Sequence, residues 1–196
     1  METKDKLKVD KFISLIKGVM SSNLIALDRN VYYAETYDSM IKFFSMNKEV
    51  FDKDTFYQGL NMIYGWMPTI PKNSKPVNDD SICIELLKKA YYHKPNTTFT
   101  KKDYQELIPY VNNSIVGLSK MLHFINPNVY PIWDSNIAYI FGLKWNYQVN
   151  NVRLYMIYMI AMHNVGSENG SLREIELKLF ESGQFARKIE RQSKLK

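Results

Sequence analysis

Apolar residues recur at helical spacing along almost the whole chain, and no stretch alternates in the manner of a half-buried strand. Val9, Phe12, Ile13 and Ile16 share one face of a first helix, which Ser22 and Asn23 interrupt. A second helical stretch covers about Tyr33 to Phe44, with Met40, Ile41, Phe43 and Phe44 at its apolar end. Asp54 or Thr55 can cap a third helix that runs through Ile63. Trp66-Met-Pro-Thr-Ile-Pro then breaks the pattern, because proline cannot continue a helix. The polar segment Lys72 to Asp80 reads as an exposed loop. If the chain has two lobes, their boundary is expected in the loop 67–80.

Ser81 opens the next helix, to about His93, and Thr100 caps another with Tyr104, Leu107 and Ile108 inward. Asn113 and Ser114 separate that helix from Ile115–Ile125. Ile115, Leu118, Leu122 and Ile125 form the buried stripe there, and Lys120, His123 and Phe124 lie off it. Pro127 and Pro131 bracket a short loop, and Asp134 begins a helix through Ile140 that Gly142 closes. Residues 152–162 are apolar on nearly every side, as befits a central core helix, with Gly166 and Gly170 ending it. Two amphipathic helices follow, Leu172 to Phe180 and Phe185 to about Arg191. The pattern predicts an all-α fold, with 1–196 as a single all-helical domain.

The length, 196 residues, suits one domain, and an apolar fraction of 45% is enough for a sizeable core. The charge of +6 and a pI near 9.2 favour polyanionic partners. Aromatic residues make up 14% of the chain; such side chains fill cores and also stack on bases. The lone cysteine, Cys83, excludes an internal disulfide framework, and its apolar setting marks it as a core residue. Met1 to Lys11 are charged, and the longest apolar run, Leu154 to Met162, is too short to cross a bilayer. A cytoplasmic protein with no membrane partner is expected. His93, His123 and His163 lack metal-ligand spacing, and no phosphate-binding or dinucleotide glycine motif occurs. No metal and no cofactor is expected.

The segment from Asn113 to Leu143 carries a glycine-containing turn, a helix with an off-stripe lysine, a proline loop and an aspartate that opens the next helix. It resembles the signature region of the helix-hairpin-helix DNA glycosylase superfamily, and is most similar to the branch with the 8-oxoguanine DNA glycosylase (OGG) fold. The resemblance puts Val116-Gly117-Leu118 at the hairpin turn, makes Lys120 the catalytic lysine and Asp134 the catalytic aspartate. Family turns usually carry two glycines, whereas this one has only Gly117. The lysine-to-aspartate spacing of 14 residues (134 minus 120) is shorter than in typical members.

The resemblance implies a DNA repair enzyme, a glycosylase and lyase acting on duplex DNA with a flipped base. A neutral lysine amine would attack the sugar C1′ and displace the base, and the resulting Schiff base permits strand cleavage. A carboxylate nearby would stabilise the oxocarbenium-like charge that develops on the sugar. The flipped base needs a pocket with aromatic walls, for which His123, Phe124, Tyr130, Trp133 and Trp66 are candidates. Backbone N–H groups around Val116, Gly117 and Ser119, and the basic residues Arg187, Lys188 and Arg191, are candidates for phosphate contact.

Plainer roles are open for each residue. Lys120 also fits a solvated surface lysine, Asp134 a helix N-cap, and His123 a satisfied half-buried histidine. Trp66 and Trp133 also fit packing roles, and the basic tail, with Lys194 and Lys196, a solvated helix end. The alternatives to an enzyme are a catalytically inactive DNA- or protein-binding member of the same fold, and a helical interaction protein without nucleic acid.

Overall fold

The computed structural model describes residues 3–22, 31–67, 69–72 and 74–194. Asn23, Pro68 and Lys196, which enter the sequence reading, lie outside the described residues. Within them the chain is all helical, with no strand. The α-helices are α1 (Thr3–Ser21), α2 (Val31–Met46), α3 (Lys53–Trp66), α4 (Ile82–Ala90), α5 (Lys101–Leu107), α6 (Ile115–Ile125), α7 (Ser135–Ile140), α8 (Asn146–Val149), α9 (Val152–Asn169) and α10 (Leu172–Ser193). A 3-10 turn, Ile108–Tyr110, precedes α6. No described helix is long and apolar enough to cross a membrane.

These elements belong to two units, Met1–Asp28 with Pro131–Lys196, and Arg29–Tyr130. The first is built on α9, whose Tyr155, Ile157, Tyr158, Met159, Ala161, Met162 and Val165 are all buried. Helices α1 and α10 pack on it. Val9, Phe12 and Ile16 supply the α1 face, and Leu172, Ile175 and Leu179 the α10 face, so the 3.6-residue period becomes two apolar stripes. Phe12 stacks on Phe141 with ring centroids 4.0 Å apart, a contact worth roughly 1 kcal/mol beyond its buried area.

The last two helices differ from the sequence expectation. Gly166 does not end α9, which continues to Asn169 and stops at Gly170, where φ is 112°. A Cβ on Gly166 would stand 3.1 Å from Leu172 Cδ2, so the missing side chain makes room for the returning chain. The two C-terminal helices are one continuous helix, α10, because nothing in 181–184 breaks it. Gly183 sits inside that helix, where a Cβ would lie 2.1 Å from the Asn136 carbonyl oxygen. Glycine here allows α10 and α7 to touch backbone to backbone.

In the second unit α2, α3 and α4 pack around α6. Helix α3 starts two or three residues earlier than expected: Asp52, not Asp54 or Thr55, is the cap, accepting from the Thr55 N–H at 2.8 Å. Thr100 and Asp103 close a reciprocal capping box at α5, as the sequence suggests. The loop 67–80 lies inside this unit and does not divide it. Lys75 N donates to Pro109 O at 2.6 Å, Asn112 N to Ser74 Oγ at 3.0 Å, and Val77 N to Tyr57 Oη at 3.0 Å. These bonds satisfy backbone groups that a loop cannot pair within itself, and they tie it down.

Candidate active site

Helix α6 covers Ile115–Ile125, as the apolar pattern predicts, and Ser114 caps it by accepting from Gly117 N at 3.2 Å. Val116, Gly117 and Leu118 are therefore helical and do not form a turn. The chain reverses one step earlier, at Val111–Ser114, where Asn112 and Asn113 have φ of 58° and 52°. Asparagine tolerates this left-handed region, so the pair does the work that glycines do elsewhere. Gly117 answers a packing need: a Cβ there would sit 2.6 Å from Tyr64 Oη, which donates to Val111 O at 2.9 Å. The Gly117 N–H is committed to the cap. Ser119 is fully buried and donates to Val116 O at 2.9 Å.

The α6 stripe is wider than its period suggests. Lys120, His123 and Phe124 are buried along with Ile115, Leu118, Leu122 and Ile125. Lys120 retains 9% of its exposure, in a residue type that is almost never enclosed. Its Nζ lies 5.4 Å from the centroid of the Trp66 ring, within range of a cation–π contact. Trp66 in turn meets Phe124 edge to face, 5.4 Å between centroids. With Met40, Met62, Thr36, Ser39 and Gly65, Trp66 also lines an apolar cavity of about 250 Å³ between α2 and α3.

His123 is held at both ring nitrogens. Nδ1 is 2.8 Å from the Tyr130 carbonyl oxygen, which only accepts, so Nδ1 carries the proton and donates. Nε2 lies 2.7 Å from Tyr37 Oη, a second hydrogen bond on the same ring. His123 thus fixes Tyr130, the last residue before Pro131. The Tyr130 side chain is fully buried with its hydroxyl against His93 Nδ1, and burial pushes that phenol well above its ordinary range. Cys83 is buried on α4, where burial pushes its thiol up to about 12 and leaves it a packing residue.

In the first unit, the segment leading to Asp134 is pinned residue by residue. Pro131 O accepts from Tyr155 Oη at 3.3 Å. Ile132 N donates to Glu176 Oε2 at 2.6 Å. Trp133 is fully buried, and its indole N–H donates to Val149 O at 2.7 Å. Half-buried Asp134 caps α7, with Oδ1 accepting from Asn136 N at 2.7 Å and Ile137 N at 2.9 Å. Gly142, with φ of 77°, ends the helix as expected.

Glu176 was not apparent as a functional residue from sequence. It is 1% exposed, and its Oε1 pairs with Arg173. The available signal was its position: Leu172, Ile175, Glu176 and Leu179 share one helical stripe, so a carboxylate stands where an apolar side chain belongs.

The phosphate-contact candidates on α10 divide. Arg187 donates to Ser135 Oγ and Asn136 Oδ1, both at 2.9 Å, so it braces the start of α7. Lys188 and Arg191 are exposed and form no ion pair among the described residues. Lys120 belongs to the second unit and Asp134 to the first. Compared with protein-family models, with curated proteins and with solved structures, the chain matches none.

Proposed function

We propose that this protein removes a damaged or modified base from DNA, with Lys120 as the nucleophile and Asp134 as its electrostatic partner. The observation that carries the reading is Lys120 itself, a lysine enclosed on α6 with its amine over an indole ring. Enclosing a lysine is costly, the Trp66 ring holds this amine in place on α6, and a nucleophilic role is a reason for a fold to carry such a residue. The Trp66 cavity adds an apolar space with one indole wall, and a flipped base needs an apolar pocket to stack in.

In this reading the Nζ lone pair bonds to C1′ as the C1′–N glycosidic bond breaks, and its electrons leave with the base, which takes up a proton. Loss of a proton from Nζ and opening of the C1′–O4′ bond give the Schiff base. Removal of a C2′ proton then expels the 3′ phosphate.

Borohydride trapping on duplexes carrying oxidised, deaminated or alkylated bases tests the proposal. A covalent protein–DNA adduct that disappears in Lys120→Gln is expected. Neither adduct nor base release on any such duplex overturns it.

A further inference from the structure

The first unit presents an open groove of about 500 Å³ along α7, α8 and α10. Tyr139, Lys144, Trp145, Arg187, Arg191 and Lys194 line it, with Glu190 on its floor. Four cations against one carboxylate leave the groove at net +3. Glu190 holds Lys144 at 2.9 Å and Lys194 at 3.2 Å and accepts from Tyr139 Oη, so two of the cations are fixed in place. Arg187 is fixed too, but by the neutral acceptors Ser135 and Asn136, which leave its charge unbalanced.

Trp145 stands at the rim with 65% of its surface exposed. Its position is set by the backbone: the N–H groups of Lys144 and Trp145 both donate to Gln148 Oε1 at 3.1 Å. Tyr147, 73% exposed, follows on α8. A large aromatic in water is a cost to the folded chain, and Trp145 shares this groove with the cations.

We infer that this groove binds a single strand of nucleic acid, its phosphates along Arg187, Arg191 and Lys194 and an unpaired base stacked on Trp145. A basic track with an aromatic platform is the physical pattern of single-strand binding, because stacking serves any base and the cations serve any backbone. A duplex keeps its bases inside the stack and offers the indole nothing. The inference goes beyond base excision and does not depend on Lys120.

The test is fluorescence anisotropy of a labelled thymidine oligomer of about 12 nucleotides, over a salt series, with a duplex of equal length in parallel. Tighter binding of the single strand is expected. Trp145→Ala should weaken it roughly tenfold, the loss of one stacked base. The double variant Arg191→Gln, Lys194→Gln should lower the slope of log affinity against log salt by about 1.4, or about 0.7 per lost phosphate contact. All three positions are exposed, and thermal melting confirms that the variants fold. Duplex binding weakened by Trp145→Ala as much as single-strand binding, or affinity and slope unchanged in both variants, overturns the inference. The assay involves no base release, so its failure leaves the Lys120 trapping experiment untouched.

Discussion

Replacing Glu176 tests whether the segment bearing Asp134 is held by a buried charge. Glu176→Ala takes the carboxylate away from two groups that it bonds, Ile132 N and Arg173. Ile132 N, whose residue is 5% exposed, loses its 2.6 Å acceptor, and Arg173, 27% exposed at its side chain, loses its ion pair with Glu176. A hydrogen bond to a charged group is worth about 1.5–3 kcal/mol, and breaking a buried pair costs about 3–5 kcal/mol. These ranges overlap on one carboxylate and do not add, and the partial exposure of Arg173 argues for the lower part. The expected loss is about 3 kcal/mol, or roughly 6–12 °C in Tm for a chain of this size. Glu176→Gln keeps an acceptor for Ile132 N and loses only the charge, so it should cost about half as much. Thermal unfolding followed by circular dichroism measures both. An alanine variant within about 1 kcal/mol of the parent protein, or a glutamine variant as damaging as alanine, would refute the argument that this carboxylate pins the loop.

Two further outcomes follow from other contacts. Gly183→Ala gains about 1 kcal/mol of helix propensity but drives a Cβ to 2.1 Å from the Asn136 carbonyl. Overpacking against backbone costs up to about 3 kcal/mol, so a net loss of about 2 kcal/mol is expected by urea unfolding; a stabilised variant contradicts the close approach of α10 and α7. Hydrogen bonds from Tyr139, Lys144 and Lys194 hold the Glu190 carboxyl at about 2, below its ordinary 4.5. A carboxyl depressed on folding adds stability that is complete above the unfolded value and is lost as pH falls through the folded one. The Tm difference between the parent protein and Glu190→Gln should therefore shrink from pH 4.5 toward 2; a difference that stays constant across that window contradicts the assignment.

The helices were legible in the sequence wherever one apolar face and a capping side chain coincided. Ile115–Ile125 behind Ser114, α5 behind Thr100 and α7 behind Asp134 are examples. Contacts between distant segments were not legible. Gly166 reads as a break because glycine is a poor helix former, yet it answers Leu172 pressing on the helix, and the gap expected between Phe180 and Phe185 is absent, with the Asn136 backbone against Gly183. The same holds at α6. Periodicity assigns one face to the core, and it cannot register that α2, α3 and α4 pack around the helix, which is what encloses Lys120 and His123.

Within the candidate site, Lys120 and Asp134 were found by a resemblance of segment, and their settings came only from the fold. The Asp134 cap was readable from one residue type before a helical run. The clamp behind it was not, because Tyr155, Glu176 and Val149 reach Pro131, Ile132 and Trp133 from other helices and loops. The reversal before α6 carries no glycine signal, because asparagines, Asn112 and Asn113, take the left-handed conformation there.

The central claim is that the enclosed amine of Lys120 is the reacting group. Peptide mapping by mass spectrometry of the borohydride-trapped protein–DNA complex addresses it directly. The account expects the deoxyribose remnant on the peptide containing Lys120. A remnant on another lysine or on the N-terminal amine, with the Lys120 peptide unmodified, contradicts it.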